Sequence, residues 1–231
     1  SKSQREGVIA KGVVELVPKE LAFDYSMSPD HQTKEKLDVP TGRLFPPPIS
    51  SRRLSVSFHD APHANTRAAI AFIYTLQIEK RIDDPSAILA ALAKLIGTLL
   101  GPGPGYQCKN FMLAFPYTKA AVEFGMLLQE TLKEKLLEGE NLHGLIQVGI
   151  HEGAFSSLVP HKVTGRADYF GKVVNRAARV AGAAHPGTVV VAMVEGTTLP
   201  EIGDGFDATF LGMKALKGVQ EEMALYACSR K

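Results

Sequence analysis

"DYFGKVVNRAARVAG", residues 168–182, places one amide and two guanidinium groups on a stretch that is rich in Val, Ala and Gly. On a helix, residues three and four apart share a face, so Asn175 and Arg179 are predicted to emerge together. The predicted core-facing set is Val174, Ala177, Ala178 and Ala181. Spacing alone leaves two interpretations open, a solvated helix face with an extended arginine or a pair of groups aimed at a ligand.

The composition around this stretch indicates one main globular domain and excludes several classes of protein. The chain has 231 residues, 45% of them hydrophobic, which is enough for one core. A formal charge of +2, with cations and anions interleaved, argues against a nucleic-acid partner. Two distant cysteines, Cys108 and Cys228, lack metal-ligand spacing and are typical of a reducing compartment.

The apolar runs are too short, or too interrupted by Lys94, to cross a bilayer, which takes about 20 apolar residues. The start of the chain also lacks the pattern of a signal peptide. We therefore expect no membrane span in this chain. We expect a cytoplasmic location, alone or within a larger membrane-attached or cytoskeletal assembly.

The chain is predicted to divide after residue 52. Residues 1–52 are irregular and carry three consecutive prolines, Pro46–Pro48, which favour extended backbone and predict an arm or linker. The run GVVELV, residues 12–17, is β-like and is compatible with the exit of a preceding domain. Residues 53–231 form the predicted main domain.

Within residues 53–231 the hydrophobic pattern predicts an α+β domain, with helices covering a mostly antiparallel sheet. The predicted strands are 54–58, 105–109, 111–115, 145–153, 188–192, 208–212 and 224–228. The predicted helices are 65–82, with Asn65 as the cap, 84–101, 117–139 and the stretch quoted above. The two runs 105–109 and 111–115 are nearly contiguous and predict a hairpin.

Several of these segments together resemble a known family. The runs VGIHEG, DYFGKVVNRAARVAGAAHPGTVVVA and FLGMKALKGVQEEMALYAC closely resemble the second half of the class III nucleotidyl cyclase domain. FMLAFPYTKAAVEFGMLLQETL and LSVSFHDAPHANT resemble its first half more loosely. The resemblance spans residues 53–228 and implies the ferredoxin-like cyclase fold. It also implies a head-to-tail dimer whose active sites lie in the groove between two such domains.

The resemblance implies a role for each polar residue of the stretch. Asn175 matches the asparagine that orients the ribose, and Arg179 matches the arginine that stabilises phosphate charge as the 3′-hydroxyl attacks the α-phosphorus. Asp168 matches the base-binding position and would accept from the exocyclic amine of adenine. Lys109, at the end of YQCK, would donate to a ring nitrogen of adenine, which favours ATP over GTP. An exposed strand-end lysine is the alternative for Lys109.

The metal-binding part of the family pattern is altered. The family holds two Mg²⁺ ions with two aspartates, one after the first strand and one in the hairpin turn. Asp60 falls near the first position, with a surface turn aspartate as the alternative interpretation. The hairpin runs from CK directly to NFMLAF. Either the turn lost its Gly-Asp pair, or Lys109 stands at the aspartate position and Gly105 at that of the base-binding lysine.

Both alignments remove the second metal carboxylate, so Mg²⁺ or Mn²⁺ is expected to be held by a partner domain. The family often places a triphosphate-binding lysine where this chain has Val219, which leaves Lys214 or Lys217 as candidates for that role. The cluster His59, Asp60 and His63 lacks further ligands and predicts no metal site. His143, His151, His161 and His185 are interpreted as structural.

Three hypotheses follow. The first is a half-site that, paired with a second cyclase domain supplying both aspartates, makes cyclic AMP and pyrophosphate from ATP. The second is a pseudo-cyclase that serves as a dimerisation or scaffold module and lacks activity. The third, an unrelated ferredoxin-like binding domain, leaves the wording of residues 168–182 unexplained.

Overall fold

The computed structural model describes residues 6–10, 13–17, 58–101, 103–161, 164–194 and 198–231. The chain divides into two units, Ser1–Pro47 and Pro48–Lys231. In the first unit, β1 (Glu6–Ala10) pairs antiparallel with β2 (Val13–Val17), so the predicted arm contains a hairpin. The predicted boundary at residue 52 lies outside the described residues, as does the predicted strand 54–58 apart from Phe58.

The second unit is an α+β domain, as the sequence predicts. Its strands are β3 (Arg67–Tyr74), β4 (Tyr106–Lys109), β5 (Met112–Phe115), β6 (Leu136–Leu137), β7 (Glu140–Asn141), β8 (Gln147–Ala154), β9 (Ser157–Pro160), β10 (Ala167–Phe170), β11 (Val189–Val194), β12 (Phe206–Lys214) and β13 (Met223–Arg230). Its helices are α1 (Leu76–Arg81), α2 (Ser86–Leu100), α3 (Thr118–Glu134) and α4 (Lys172–Ala183). Two short 3₁₀ turns, Phe58–Asp60 and Ala64–Thr66, precede β3.

Seven strands form one sheet in the order β12-β13-β11-β8-β3-β5-β4. All neighbours are antiparallel except β8 and β11, which are parallel and are connected through α4. Two pairs, β6 with β7 and β9 with β10, form separate two-stranded ribbons. The mostly antiparallel sheet confirms the predicted fold class.

The predicted helix 65–82 is wrong over most of its length, because Arg67–Tyr74 is the strand β3 in the middle of the sheet. Five of the eight residues of β3 are buried, and a single half-buried residue interrupts their run. A strand covered on both faces is an almost continuous apolar run, and such a run has no period that separates strand from helix. The helix begins only at Leu76.

The sheet is covered on both faces. Buried residues of α1, α2 and α3 pack on one face, in a core that includes Ile78, Leu92 and Leu128. Helix α4 and the β9–β10 ribbon cover the other face. Gly149 of β8 lies directly under α4, since a Cβ at Gly149 would fall 2.0 Å from the backbone nitrogen of Ala181. The absence of a side chain at Gly149 therefore lets α4 approach the sheet closely.

The buried face of α4 differs slightly from the predicted one. The buried residues are Val173, Ala177, Val180 and Ala181. Val174 and Ala178, which the spacing placed in the core, are half-buried at its margin. The observed buried residues stand at positions i, i+4, i+7 and i+8, a pattern that fits helical periodicity just as the predicted set does. Spacing alone therefore does not choose between the two sets. Asn175 and Arg179 are exposed with either choice.

Candidate functional site

The structure brings Lys109 and Asp168 together. The Lys109 Nζ atom at the end of β4 lies 3.1 Å from Oδ1 of Asp168 in β10. The Asp168 side chain is 12% exposed and that of Lys109 is 52% exposed, so the pair stands at the surface with its carboxylate largely covered. A charged hydrogen-bond donor and a charged acceptor thus lie side by side at the surface. A ligand that carries both an acceptor and a donor on one edge could bind to both groups.

The three polar side chains in the middle of α4 divide into two classes. Asn175 and Arg179 are exposed, and their side chains make no hydrogen bond or ion pair with the part of the chain that the structure describes. Arg176 is different, because its Nη2 atom lies 2.8 Å from Oε2 of Glu221 and its side chain is only 15% exposed. The Arg176 guanidinium also lowers the pKa of the Glu221 carboxyl. The two guanidinium groups of this helix therefore have different roles, one structural and one available to a ligand.

The contact between Arg176 and Glu221 places the β12–β13 turn beside α4. Lys172 of α4 adds a longer contact to Glu221, at 3.8 Å. Lys214 and Lys217, the two candidates for phosphate binding, are exposed at the end of β12 and in this turn. Val219 packs instead against the apolar cluster that includes Leu216. No sequence pattern indicates the contact of Glu221 with α4, because no local spacing connects the two.

The end of β3 lies next to the β4–β5 turn, so the two expected metal positions are adjacent. The backbone nitrogen of Ile73 donates to the carbonyl of Phe111 at 2.9 Å. The strand ends in Tyr74, and the following Thr75 donates from its hydroxyl to Oε1 of Glu79 at 2.8 Å. The turn itself consists of Asn110 and Phe111. Neither position carries the aspartate that the resemblance requires.

The side chains at this junction do not fit a divalent cation. Such an ion needs several oxygen ligands, usually including carboxylates. Tyr74 is the last residue of β3, and its ring lies close to Gly182 of α4. The neighbouring Lys109 adds a positive charge that would repel a metal ion. In the described ranges, no group of three or more His, Cys, Asp and Glu residues could hold a metal.

Asp60 lies away from the position expected for it. It is exposed in the 3₁₀ turn Phe58–Asp60, upstream of β3, whereas the family position follows the first strand. Burial raises the pKa of Tyr106 to about 12, and the Asp60 carboxylate makes a small contribution to that rise. His63, the neighbour in the predicted cluster, makes a hydrogen bond through Nδ1 with the carbonyl of Ala61 at 2.7 Å. Asp60 therefore remains a prediction from the sequence, and among the described residues it belongs to no group of three or more His, Cys, Asp and Glu residues that could hold a metal ion.

His151 is the buried histidine of the sheet. Its Nδ1 atom donates to the carbonyl of Ala192 at 2.8 Å, which fixes the ring between β8 and β11. Burial lowers the pKa of His151, so the ring is neutral at pH 7. Among the described residues, no helix is both long and apolar enough to cross a membrane.

Comparison with protein families identifies a match. The family model described as "Adenylate and Guanylate cyclase catalytic domain" matches residues 110–229, slightly more than half of the 231-residue chain. Asp168, Asn175 and Arg179 lie inside this range, whereas Asp60 and Lys109 lie before it.

Two curated relatives are adenylate cyclases. One, from Mycosarcoma maydis, is 36% identical over 108 residues, which cover 37% of this chain and 4% of that protein. The other, the pH-sensitive adenylate cyclase MT1302 of Mycobacterium tuberculosis, is 32% identical over 108 residues, or 45% of this chain and 25% of that protein. The chain therefore corresponds to a small part of each relative's length.

Solved structures with the same fold are also cyclase domains. A Trypanosoma brucei adenylate cyclase in its monomeric state has a TM-score of 0.56 at 23% identity, covering 72% of this chain and 92% of that one. The guanylate cyclase domain of RhGC from Catenaria anguillulae, in complex with GTP, has a TM-score of 0.54 at 18% identity, covering 71% and 96%. A dimeric guanylyl cyclase domain from Blastocladiella emersonii has a TM-score of 0.56 at 18% identity, covering 72% and 98%. At these identities the likeness concerns the fold.

Proposed function

The chain belongs to the adenylate and guanylate cyclase catalytic domain family, the class III nucleotidyl cyclases, and on this premise we propose that it forms one half of a cyclase site. In this proposal residues 53–231 are the cyclase domain, and they supply the groups that bind base, ribose and phosphate. A second cyclase domain, paired head to tail, supplies the metal-binding aspartates. The reaction is the conversion of ATP to cyclic AMP and pyrophosphate.

The observation that carries the proposal is an asymmetry within one domain. Lys109, Asp168, Asn175 and Arg179 keep the polar side chains of the nucleotide-binding half, with the first two already paired at 3.1 Å. The end of β3 and the β4–β5 turn, described above, hold Tyr74 and Asn110 in place of carboxylates. Such a domain lacks the groups for metal binding but still has those for binding a nucleotide.

Base binding is assigned to the Lys109–Asp168 pair. The Asp168 carboxylate accepts a hydrogen bond from the exocyclic amine of adenine, and the Lys109 ammonium donates to an unprotonated ring nitrogen. Guanine carries a carbonyl in place of that amine and a proton on that nitrogen, so both contacts would fail. The pair therefore favours ATP over GTP.

Catalysis by this chain is assigned to α4. The Asn175 amide orients the ribose so that the 3′-oxygen faces the α-phosphorus. As the bond from the 3′-oxygen to phosphorus forms and the bond to the leaving pyrophosphate breaks, the Arg179 guanidinium stabilises the negative charge on the phosphates. Both side chains are exposed in the single domain, and a partner covering them would exclude water and strengthen these interactions.

The metal belongs to the other half of the site in this proposal. Cyclases of this class use divalent ions, and the junction between β3 and the β4–β5 turn does not fit one. A partner with two aspartates would hold Mg²⁺ or Mn²⁺ against the triphosphate. Lys214 and Lys217, on the turn beside α4, are proposed to approach the phosphates from this chain.

The test is cyclic nucleotide production by the full chain, alone and mixed with a partner cyclase domain. The partner is the domain that co-purifies with the full chain and carries both aspartates, with its own ribose- and phosphate-binding residues changed to alanine. Production of cyclic AMP from ATP and of cyclic GMP from GTP is measured with Mg²⁺ and with Mn²⁺. We expect cyclic AMP from the mixture and none from either component.

The controls are variants of α4. Asn175→Ala and Arg179→Ala should abolish activity of the mixture, whereas Lys172→Ala, on the same helix and 72% exposed, should leave it unchanged. An inactive mixture that also fails to bind ATP would contradict the proposal. It would favour the second candidate, a pseudo-cyclase that acts as a dimerisation module. The missing carboxylates and the packing of Tyr74 near Gly182 support that candidate.

A further inference from the structure

Asp168 and Lys109 lie on strands that are not paired with each other. Among the described strands, β10, which carries Asp168, pairs with β9 alone in a two-stranded ribbon, while β4 is one of the two edge strands of the seven-stranded sheet. No ladder of backbone hydrogen bonds therefore sets the distance between these two side chains. Other contacts must fix the ribbon against β4, because a surface ion pair alone holds two elements weakly.

The first such contact is made by Arg166, the residue just before β10. Its Nη1 atom donates to the carbonyl of Gln107 in β4 at 2.7 Å. Arg166 is only 6% exposed, and within the described ranges no carboxylate lies at ion-pair distance from it. A buried guanidinium without a carboxylate is unusual, because removing its charge from water is costly. The same burial lowers the pKa of Arg166.

The second contact is made by Tyr106, at the start of β4. Its hydroxyl oxygen accepts a hydrogen bond from the backbone N–H of Ala167 at 2.9 Å. Tyr106 is 1% exposed, and its ring belongs to the same apolar cluster as Ala167 and Tyr169. The side chain thus crosses from the sheet to the ribbon and satisfies a buried amide that no strand partner on that side reaches.

The three contacts join three consecutive residues of one segment to three residues of β4. Residues 166 and 167 bind residues 107 and 106, and Asp168 then meets Lys109. Arg166 and Asp168 are two residues apart and lie on the same side of their segment. On β4 a bulge between Gln107 and Lys109 interrupts the alternation, and Arg166 binds the backbone carbonyl of Gln107, whose side chain instead donates to the carbonyl of Ala93. Arg166 and Tyr106 therefore hold the ribbon in the register that pairs Asp168 with Lys109.

We propose that Arg166 and Tyr106 are positioning residues for base selection, which fix β10 against β4 so that Asp168 and Lys109 present one adenine-binding edge. The base-binding role rests on the function proposed above, whereas the clamp itself concerns only the folded chain. Neither residue touches the nucleotide in this proposal. Loosening the clamp would let Asp168 move away from Lys109 and would reduce the preference for ATP over GTP.

The test uses the full chain with Tyr106→Phe, Arg166→Met and Arg166→Lys. Tyr106→Phe removes a single oxygen atom and keeps the buried ring, so it remains informative if Arg166→Met fails to fold. Arg166→Lys retains a cationic donor for the Gln107 carbonyl and should rescue part of the effect. Tyr226→Phe and Arg230→Lys, changes of the same kind on β13, are the matched controls.

The first readout is amide hydrogen exchange, which does not depend on any activity. Loss of one hydrogen bond corresponds to about a tenfold change in local opening, so exchange at Ala167 and Asp168 should rise about tenfold in Tyr106→Phe and Arg166→Met. Exchange in β3 and β8 should stay as in the wild type. Unchanged exchange in β10, or an equal rise throughout the sheet, would overturn the clamp.

The second readout is the ratio of kcat/KM for ATP to that for GTP, in the mixture with the partner domain. We expect this ratio to fall about tenfold in Tyr106→Phe and Arg166→Met, towards the value of Asp168→Ala, and to recover partly in Arg166→Lys. A lower activity with an unchanged ratio would overturn the role in base selection. An inactive wild-type mixture would overturn the proposed function and the base-selection role with it, while the exchange data would still decide the clamp.

Discussion

Two regions that meet at the end of β4 differ in what they retain. On one side, the Lys109–Asp168 pair and the exposed face of α4 carry the four polar side chains proposed to bind base, ribose and phosphate. On the other side, the β4–β5 turn begins one residue after Lys109 and carries Asn110 and Phe111. The adjacent end of β3 carries Tyr74. Under the proposed function, nucleotide binding and metal binding depend on different side chains, so one can be lost while the other is kept.

The two guanidinium groups of α4 give the sharpest form of this comparison. We expect Arg179→Ala to lower cyclase activity of the mixture by about 10²- to 10³-fold, the usual cost of removing one donor that stabilises transition-state charge. Its free energy of unfolding should change little, because Arg179 is exposed and makes no hydrogen bond or ion pair within the described residues. Activity and urea unfolding are measured on the same preparations.

Arg176→Ala should show the opposite pattern. Loss of the 2.8 Å contact to Glu221 should lower the free energy of unfolding and affect activity less than Arg179→Ala does. Equal losses of activity in the two variants would show that the whole helix, rather than one side chain, decides turnover. The assignment of Arg179 to the phosphates would then be wrong.

The second prediction concerns the close packing beneath α4. In Gly149→Ala the added methyl group would lie 2.0 Å from the Ala181 backbone nitrogen, so the helix must move away from β8. Such overpacking typically costs about 1–3 kcal/mol, which urea unfolding would detect. Gly205→Ala, where an added Cβ meets nothing within 4 Å, is the control. If Gly149→Ala were as stable as Gly205→Ala, α4 would not be held at this distance.

The third prediction adds carboxylates to the altered region. Tyr74→Asp combined with Asn110→Asp places two oxygen ligands side by side at the end of β3 and in the β4–β5 turn. We expect Mn²⁺ affinity to rise about tenfold, equivalent to about 1.4 kcal/mol, because carboxylates are preferred ligands of such ions. Isothermal titration calorimetry of the full chain measures it, with Tyr117→Asp and Asn141→Asp as a control pair elsewhere on the surface. An equal gain in both double variants would show that added charge alone binds the ion.

The smallest expected effect is a pH dependence that arises under the nucleotide-binding half. Because burial lowers the pKa of His151 in the folded chain, the unfolded chain binds a proton first as the pH falls below about 6.5. The free energy of unfolding should therefore decrease from pH 7 towards pH 5, by no more than about 1.4 kcal/mol per pH unit for one proton. His151→Gln should flatten this slope in urea unfolding across that range. An unchanged slope would assign the dependence to other groups.

The sequence predicted the exposed polar face of α4 better than it predicted the strand β3, for physical reasons. Asp168, Asn175 and Arg179 lie within one short strand–helix segment, so a single run of sequence carries the resemblance that implies a role for each of them. The sequence of β3 has no period that identifies a strand, because an apolar run that is buried on both faces of a sheet has the same pattern as a buried helix. Its assignment as a helix led to Asp60 as the candidate after the first strand.

Contacts between segments that are distant in the chain could not be predicted from the sequence. Arg166 and Gln107 are separated by 59 positions, and Tyr106 and Ala167 by 61. No periodicity relates them, and an arginine before a strand looks like any other surface cation until its burial is known. The same holds for Arg176 and Glu221, whose contact depends on how the β12–β13 turn folds over α4.

The tyrosine at the end of β3 also has a consequence for enzyme kinetics. A head-to-tail pair has two grooves, but under the proposed function only the groove that combines this chain's α4 with the partner's aspartates is complete. The other groove would place Tyr74 and Asn110 opposite the partner's nucleotide-binding residues and would remain inactive. A dimer with a single active site has no second site whose ATP binding could be coupled to the first. Its rate should therefore follow a simple hyperbola in ATP concentration, with a Hill coefficient of about one.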